Sequence, residues 1–250
     1  MSNCIHKLCV DKVSKSFESI KVLDDISITV GSKEFVSLLG VSGSGKSTIF
    51  NIISGLVMPD AGGVYIDGEE FTGKTGRVGY MHQKDLLLPW KKIIDNVALP
   101  LVLKGESLKA AREKAAHLFD IFSMQGAEYL YPFQLSGGMR QRAALMRTYV
   151  FSSDIMLLDE PFGSLDAITR SRMHQWLMDL LHKVDSSILL ITHDIDEAVF
   201  LSDRIYVLSG SPSSVVKEMK VDFKRPRSID ITTSGEFNRI KREIINLLSQ

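Results

Sequence analysis

Short apolar runs alternate with amphipathic stretches along most of this 250-residue chain. Phe35–Leu39, Ile155–Leu158, Ser187–Thr192 and Ile205–Leu208 are almost wholly apolar, the pattern of strands buried on both faces. Ser47–Ser54 reads as the first turns of a helix. Lys109–Phe122 places Ala111, Ala115, Leu118, Phe119 and Phe122 at helical spacing with charges between them. Met139–Val150 and Ala167–Val184 also predict helices. Buried strands separated by helices imply an α/β fold with a mainly parallel sheet covered on both sides. The first thirty residues behave differently. Leu8-Cys9-Val10 and Ile26–Val30 are strand-like, separated by turn-formers such as Asp24-Asp25 and followed by a turn at Gly31-Ser32. After a break at Pro59–Gly63, Val64–Ile66 predicts a short strand with a turn at Asp67-Gly68, and Arg77–Met81 another strand leading to Gln83. Leu86 to Val150 reads as a mostly helical insertion. From Pro212 the chain is expected to be less regular, closing with a helix at Glu236–Leu248.

Composition limits the function classes. With 44% hydrophobic and 24% charged residues, the chain is an ordinary globular protein. Lys+Arg and Asp+Glu both number 30, so the formal net charge is zero. That argues against the cationic footprint of bulk nucleic-acid binding, though not against a local basic patch. The two cysteines, Cys4 and Cys9, are too few for a disulfide framework and read as reduced cytosolic thiols. Lys7, Asp11 and Lys12 interrupt any leader-like stretch. No run approaches the ~20 apolar residues of a membrane-spanning helix. The expectation is a protein that is soluble by itself and free to dock on a membrane protein.

The first chemical signal is Gly40-Val41-Ser42-Gly43-Ser44-Gly45-Lys46-Ser47, which fits the phosphate-binding pattern G-x-x-x-x-G-K-[ST]. Glycine reaches positive φ without a Cβ clash, so Gly40, Gly43 and Gly45 let the loop curl and turn its N–H groups toward an anion. A buried strand precedes the loop and a helix follows it, so phosphates would sit at a helix N-terminus. Lys46 would reach the β- and γ-phosphates and Ser47 would hold Mg²⁺. Asp159 and Glu160 follow the strand Ile155–Leu158 directly, where a strand delivers residues to the ligand-binding edge of a sheet. Asp159 is placed to hold Mg²⁺, and Glu160 to position or deprotonate a water. His193 follows the strand Ser187–Thr192 in the same way and could hydrogen-bond a γ-phosphate.

A second motif, Leu135–Arg142 (LSGGMRQR), makes the loop specific. With LLDEP behind it, the set resembles the ATP-hydrolysing subunit of an ABC transporter over about Leu8 to Arg227. Gly40–Ser47 is similar to the Walker A loop, Gln83 to the Q-loop glutamine and LSGGMRQR to the family signature. Met156–Glu160 resembles Walker B with its catalytic glutamate, Ser164-Leu165-Asp166 the D-loop, and His193 the switch histidine. The resemblance implies a P-loop NTPase core with an N-terminal antiparallel β subdomain and an inserted helical subdomain. Residues 1–85 and 151–211 would form the core, 86–150 the helical unit with the signature, and 212–250 a short C-terminal extension of one domain.

The resemblance further implies ATP and Mg²⁺. Glu160, His193, Lys46 and Gln83 would be catalytic. Phe17, in the position of an adenine-stacking aromatic, the loop Gly40–Ser47 and Thr48 would bind ATP; the alternative for Phe17 is ordinary packing. Ser47, Gln83 and Asp159 would hold the metal. Ser136, Gly137, Gly138 and Asp166 would act on ATP held by a second, head-to-tail copy, because one chain carries only one set of motifs. Further implied partners are a membrane permease and, indirectly, an extracytoplasmic solute-binding protein, which sets the chain at the cytoplasmic face of a membrane. The stretch Gln83–Trp90 and the tail Arg225-Pro226-Arg227 resemble importers of nitrate, sulfonates, taurine and pyrimidine-type solutes. Leu86–Trp90 fits equally an apolar dock for a partner and packing within the helical block. A cassette acting on nucleic acid or ribosomes is the alternative; its usual second cassette or long coiled-coil insertion is missing here. A P-loop kinase would leave LSGGMRQR and His193 unexplained.

Overall fold

The computed structural model describes residues 6–152 and 154–249. In chain order the elements are β1 (Leu8–Phe17), β2 (Ile20–Val30), β3 (Phe35–Gly40), α1 (Lys46–Ile53), β4 (Ala61–Ile66), β5 (Glu69–Glu70) and β6 (Gly79–Met81). Then come α2 (Ile93–Leu103), α3 (Leu108–Ile121), α4 (Gly137–Phe151), β7 (Ile155–Asp159), α5 (Ala167–Leu181), β8 (Ser187–Thr192) and α6 (Ile195–Leu201). The chain closes with β9 (Arg204–Ser209), β10 (Ser214–Lys220) and α7 (Gly235–Leu248). They build a six-stranded sheet of order β10-β9-β3-β8-β7-β6 and a four-stranded antiparallel sheet of order β2-β1-β4-β5. In the larger sheet only β10 is antiparallel to its neighbour.

The unbroken apolar strands follow from two-sided burial, since successive residues of a strand point to opposite faces. Phe35, Leu39, Met156, Leu158, Ile188 and Leu190 enter one core with the helices α2 to α7. Their neighbours Val36, Leu38, Ile155, Leu157, Leu189 and Ile191 enter a second core with α1 and the antiparallel sheet. Both faces are covered, so both sets are apolar, and Ser37, buried on the Phe35 face, bonds its hydroxyl to Ser202 Oγ.

Three local expectations are corrected. The first hairpin turns at residues 18–19, not at Asp24-Asp25. That acidic pair lies inside β2, where Asp25 takes a φ of 51°. Its N–H donates to Ser14 Oγ at 3.0 Å, and that of Asp24 to the Ser213 carbonyl at 2.9 Å. The segment after Pro212 is not irregular, because β10 forms the edge of the main sheet. Cys9 is disulfide-bonded rather than reduced; composition carries no information on which thiols meet. Cys4 lies outside the described residues.

Arg227 anchors the C-terminal segment. Its guanidinium is fully buried and donates to the carbonyls of Phe200 at 2.9 Å and Ser202 at 2.8 Å, closing the C-terminal end of α6. Arg227→Ala leaves those carbonyls unpaired and a void behind. We expect a loss of about 3 kcal/mol in urea unfolding.

Candidate active site

Parallel strands bring their C-terminal ends to one edge, and the strand order decides what meets there. Strand β3 delivers the glycine loop, β8 His193, β7 Asp159 and Glu160, and β6 Gln83. These four ends are consecutive neighbours in the sheet although the sequence scatters them over much of the chain. At this edge lies an open cavity of about 400 Å³ lined by Ser42, Gly43, Gly45, Lys46, Ser47, Thr48, Gln83, Asp159 and Glu160, together with Val22 and Ile191; His193 is not in its lining and meets the site through Glu160.

The loop glycines have different reasons. Gly43 and Gly45 have φ of 82° and 75°. Gly40 is not left-handed; a Cβ there would come within 2.7 Å of Ser44 Oγ and 3.1 Å of the Leu208 carbonyl. Gly40 therefore serves close packing, which corrects the expectation of a positive φ. Lys46 is buried, and its ammonium donates to the carbonyls of Gly40 at 2.9 Å and Val41 at 2.7 Å and to Ser44 Oγ at 3.3 Å. Burial pulls its pKa down, while Glu160 and Asp159 pull it up.

Ser47 Oγ donates to Asp159 Oδ2 at 3.3 Å, and the Tyr80 hydroxyl donates to the same oxygen at 3.3 Å. Burial raises the Asp159 pKa against those two hydrogen bonds. Among the described residues there is no group of three or more His, Cys, Asp or Glu able to hold a metal. The donor set here is one hydroxyl and one carboxylate, hard oxygens too few for a full shell. That fits Mg²⁺, which keeps waters and takes phosphate oxygens with only one or two protein ligands.

Glu160 sits at a φ of 44°, a region a non-glycine residue occupies only under constraint. Its N–H donates to the Ile191 carbonyl at 2.9 Å. Its Oε2 accepts from Gln83 Nε2 at 3.0 Å, and its Oε1 lies 2.9 Å from His193 Nδ1. Gln83 thus bonds the glutamate rather than Asp159 or Ser47. Behind His193, Arg170 joins two turns: Nη1 donates to Asp194 Oδ2 at 3.1 Å and Nη2 to the Leu165 carbonyl at 2.9 Å.

The remaining predicted residues lie away from the cavity lining. Ser136 is exposed and caps α4, accepting from the Met139 N–H at 3.3 Å. Gly137 and Gly138 open that helix. Asp166 caps α5 through the N–H groups of Ile168 and Thr169, which hold its carboxyl below the usual range. Phe17 is half-exposed, with Lys15 Nζ 5.5 Å from its ring centroid. Tyr80, Arg170 and Val22 escaped the sequence reading. Their positions depend on the sheet order and the packing of distant segments, and no local spacing marks them.

Comparison with known proteins adds to this geometry. The profile of the ABC transporter family matches residues 23–163. The formylaminopyrimidine import ATP-binding protein ThiZ of Halalkalibacterium halodurans is 42% identical over 244 residues, covering 96% of both chains. The taurine import ATP-binding protein TauB of Pseudomonas aeruginosa is 38% identical over 249 residues, covering 96% of this chain and 95% of its own. A dimeric post-hydrolysis structure of the ATP-binding cassette MJ0796 with ADP and Pi superposes with a TM-score of 0.71 at 31% identity, covering 87% of this chain and 100% of that one.

Proposed function

The chain belongs to the ABC transporter family and is an ATP-hydrolysing import subunit, and we propose that its cavity and a second copy of the chain together bind and hydrolyse MgATP. The observation that supports this most is Glu160 held between Gln83 and His193 at the edge that also carries Lys46 and Asp159. On binding, the Lys46 ammonium exchanges loop carbonyls for β- and γ-phosphate oxygens. The N–H groups of the loop and of α1, with Thr48 at the helix start, cradle the same phosphates. Ser47 and Asp159 would hold a Mg²⁺ ion, which would neutralise phosphate charge. Water attacks the γ-phosphorus in line; its new O–P bond forms as the bond to the bridging oxygen breaks. Glu160 takes the proton that water loses, and His193 steadies Glu160 and faces the γ-phosphate. Positioning and charge carry most of the acceleration in such chemistry.

Because Ser136, Gly137, Gly138 and Asp166 lie off their own cavity, we assign them to the nucleotide of the facing copy. The N-terminus of α4 then offers its free N–H groups and the Ser136 hydroxyl to a γ-phosphate. Phe17 is assigned as the surface on which adenine stacks. We read residues 1–85 and 151–211 as the nucleotide-binding core, 86–150 as the helical unit and 212–250 as a C-terminal extension that includes the sheet edge β10.

A second concavity, an apolar groove of about 480 Å³, lies between the core and the helical unit; Leu56, Tyr80, Leu86, Leu88, Leu99, Leu103 and Phe151 are among its walls. The segment Leu86–Trp90 divides: Leu87 is buried, Leu86 and Leu88 line the groove, and Trp90 is exposed outside it. No helix among the described residues is long and apolar enough to cross a membrane. We assign the groove to an integral membrane permease, which would hold the chain at the cytoplasmic face, with an extracytoplasmic binding protein delivering the solute. We read the solute as one of the nitrate, sulfonate or pyrimidine-type set that the relatives' names cover. Leu103, 79% exposed on the groove rim, gives the test. Leu103→Asp should cut co-purification with the permease roughly tenfold or more and leave ATP binding to the isolated chain intact. Undiminished co-purification removes the groove assignment.

A further inference from the structure

The nucleotide cavity and the apolar groove share no lining residue. One side chain nevertheless touches both. Tyr80 forms part of the groove wall, and its hydroxyl donates to Asp159 Oδ2 in the cavity at 3.3 Å. Its place follows from the sheet. Tyr80 pairs with Leu157 across the parallel register of β6 and β7, two residues before Asp159 at the strand end. The ring is fixed on two sides. Phe50 of α1 meets it edge-on at 5.6 Å and 85°, and His82 stacks on it at 4.1 Å and 27°. His82 is exposed and is itself a groove residue. Burial, with the Asp159 charge and hydrogen bond, pushes the phenol pKa well up, so the hydroxyl remains a donor.

We propose that Tyr80 is a positioning residue for Asp159, and that the stacked pair Tyr80–His82 is the link through which the groove reaches the metal-binding carboxylate. This rests on the reading of Ser47 and Asp159 as the Mg²⁺ ligands. At present Oδ2 accepts from two hydroxyls. Once Ser47 turns its oxygen to an ion, Tyr80 is the remaining hydroxyl that sets the carboxylate's rotation. Outer hydrogen bonds of this kind govern ligand orientation, and their loss typically weakens metal binding by about tenfold or more. A body pressing on the groove face of the ring shifts the hydroxyl at its far end, and Asp159 with it.

The test measures Mn²⁺ binding to the full chain with saturating ADP, by electron paramagnetic resonance of the free ion. Tyr80→Phe keeps the ring and deletes one oxygen, so the packing against Phe50 and His82 persists. Its Mn²⁺ affinity should fall about tenfold, while ADP binding in the presence of a chelator stays unchanged. In steady-state ATPase assays the Mg²⁺ needed for half-maximal rate should rise more than kcat falls. His82→Ala, which removes the stack, should weaken Mn²⁺ by about threefold in the wild-type background and have no effect in Tyr80→Phe. Equal Mn²⁺ affinity in wild type and Tyr80→Phe overturns the positioning role. A His82→Ala effect that persists without the Tyr80 hydroxyl overturns the link. Failure of the wild-type chain to bind Mn²⁺ with ADP overturns the metal assignment itself, a result distinct from either.

Discussion

Glu160→Gln should retain MgATP and lose hydrolysis by about 10²–10⁴-fold, the contribution expected of a positioned general base. The substitution preserves shape and removes the proton acceptor. It also preserves the hydrogen bonds if the amide takes one orientation. Its oxygen can accept from Gln83 Nε2 where Oε2 does now, and its NH₂ can donate to His193 Nδ1 where Oε1 lies now. That orientation uses the imidazole tautomer in which Nδ1 is the acceptor. The strained φ of 44° is held by the Glu160 N–H bond to Ile191 and by the Gly163 N–H bond back to the Glu160 carbonyl at 3.2 Å. Neither involves the side chain, so the backbone stays in place. Lys46, Ser47 and Asp159 are untouched, so nucleotide affinity survives. A variant that binds and cannot turn over should accumulate as an ATP-bound dimer, visible as an earlier elution in size-exclusion chromatography that needs MgATP. Wild-type turnover by Glu160→Gln sinks the general-base assignment.

The parts of this site that were legible in the sequence are those whose chemistry sits in consecutive residues. Gly40–Ser47 declares its function because one loop must supply the turn, the donors and the ammonium. Asp159, Glu160 and His193 were recognisable because each directly follows an apolar strand, and strand ends carry ligands in parallel sheets. The order β3-β8-β7-β6 is what makes them one site, and no local pattern encodes that order. The misread segments fail for related reasons. Asp24-Asp25 looks like a turn, yet its amides are satisfied by Ser14 and Ser213 from other strands. Strand β10 lacks an apolar signature because it is an edge, where charges such as Lys217 and Glu218 face solvent and discourage further pairing. Tyr80 looked like one more strand residue, since only the packed sheet brings its hydroxyl to Asp159.

A mixture of two inactive variants should regain activity, the sharpest consequence of a site shared between copies. Lys46→Ala removes the ammonium assigned above to the phosphates. Gly137→Asp sets a carboxylate at the start of α4, where the facing copy's γ-phosphate would arrive. Aspartate in the first turn of a helix suits the dipole. The nearest atom to a Cβ at this position is Leu165 Cδ2 at 3.1 Å, the end of a flexible side chain, so the variant should fold. In a symmetric pair each homodimer carries its defect in both sites. A mixed dimer places the Lys46→Ala lesion and the Gly137→Asp lesion in the same site and leaves the other intact. Random pairing at equal concentration makes half of the dimers mixed, each with one good site in two, so about a quarter of wild-type ATPase activity should return. With Glu160→Gln added to both chains, the mixture should dimerise on MgATP while each variant alone stays monomeric. A site built within one chain predicts the opposite: Lys46→Ala would stay dead in any mixture, and Gly137→Asp would be active alone. Absence of recovery in both hydrolysis and ATP-dependent association therefore excludes the shared site. Recovery of association without hydrolysis keeps the sharing and shows that turnover needs both sites intact.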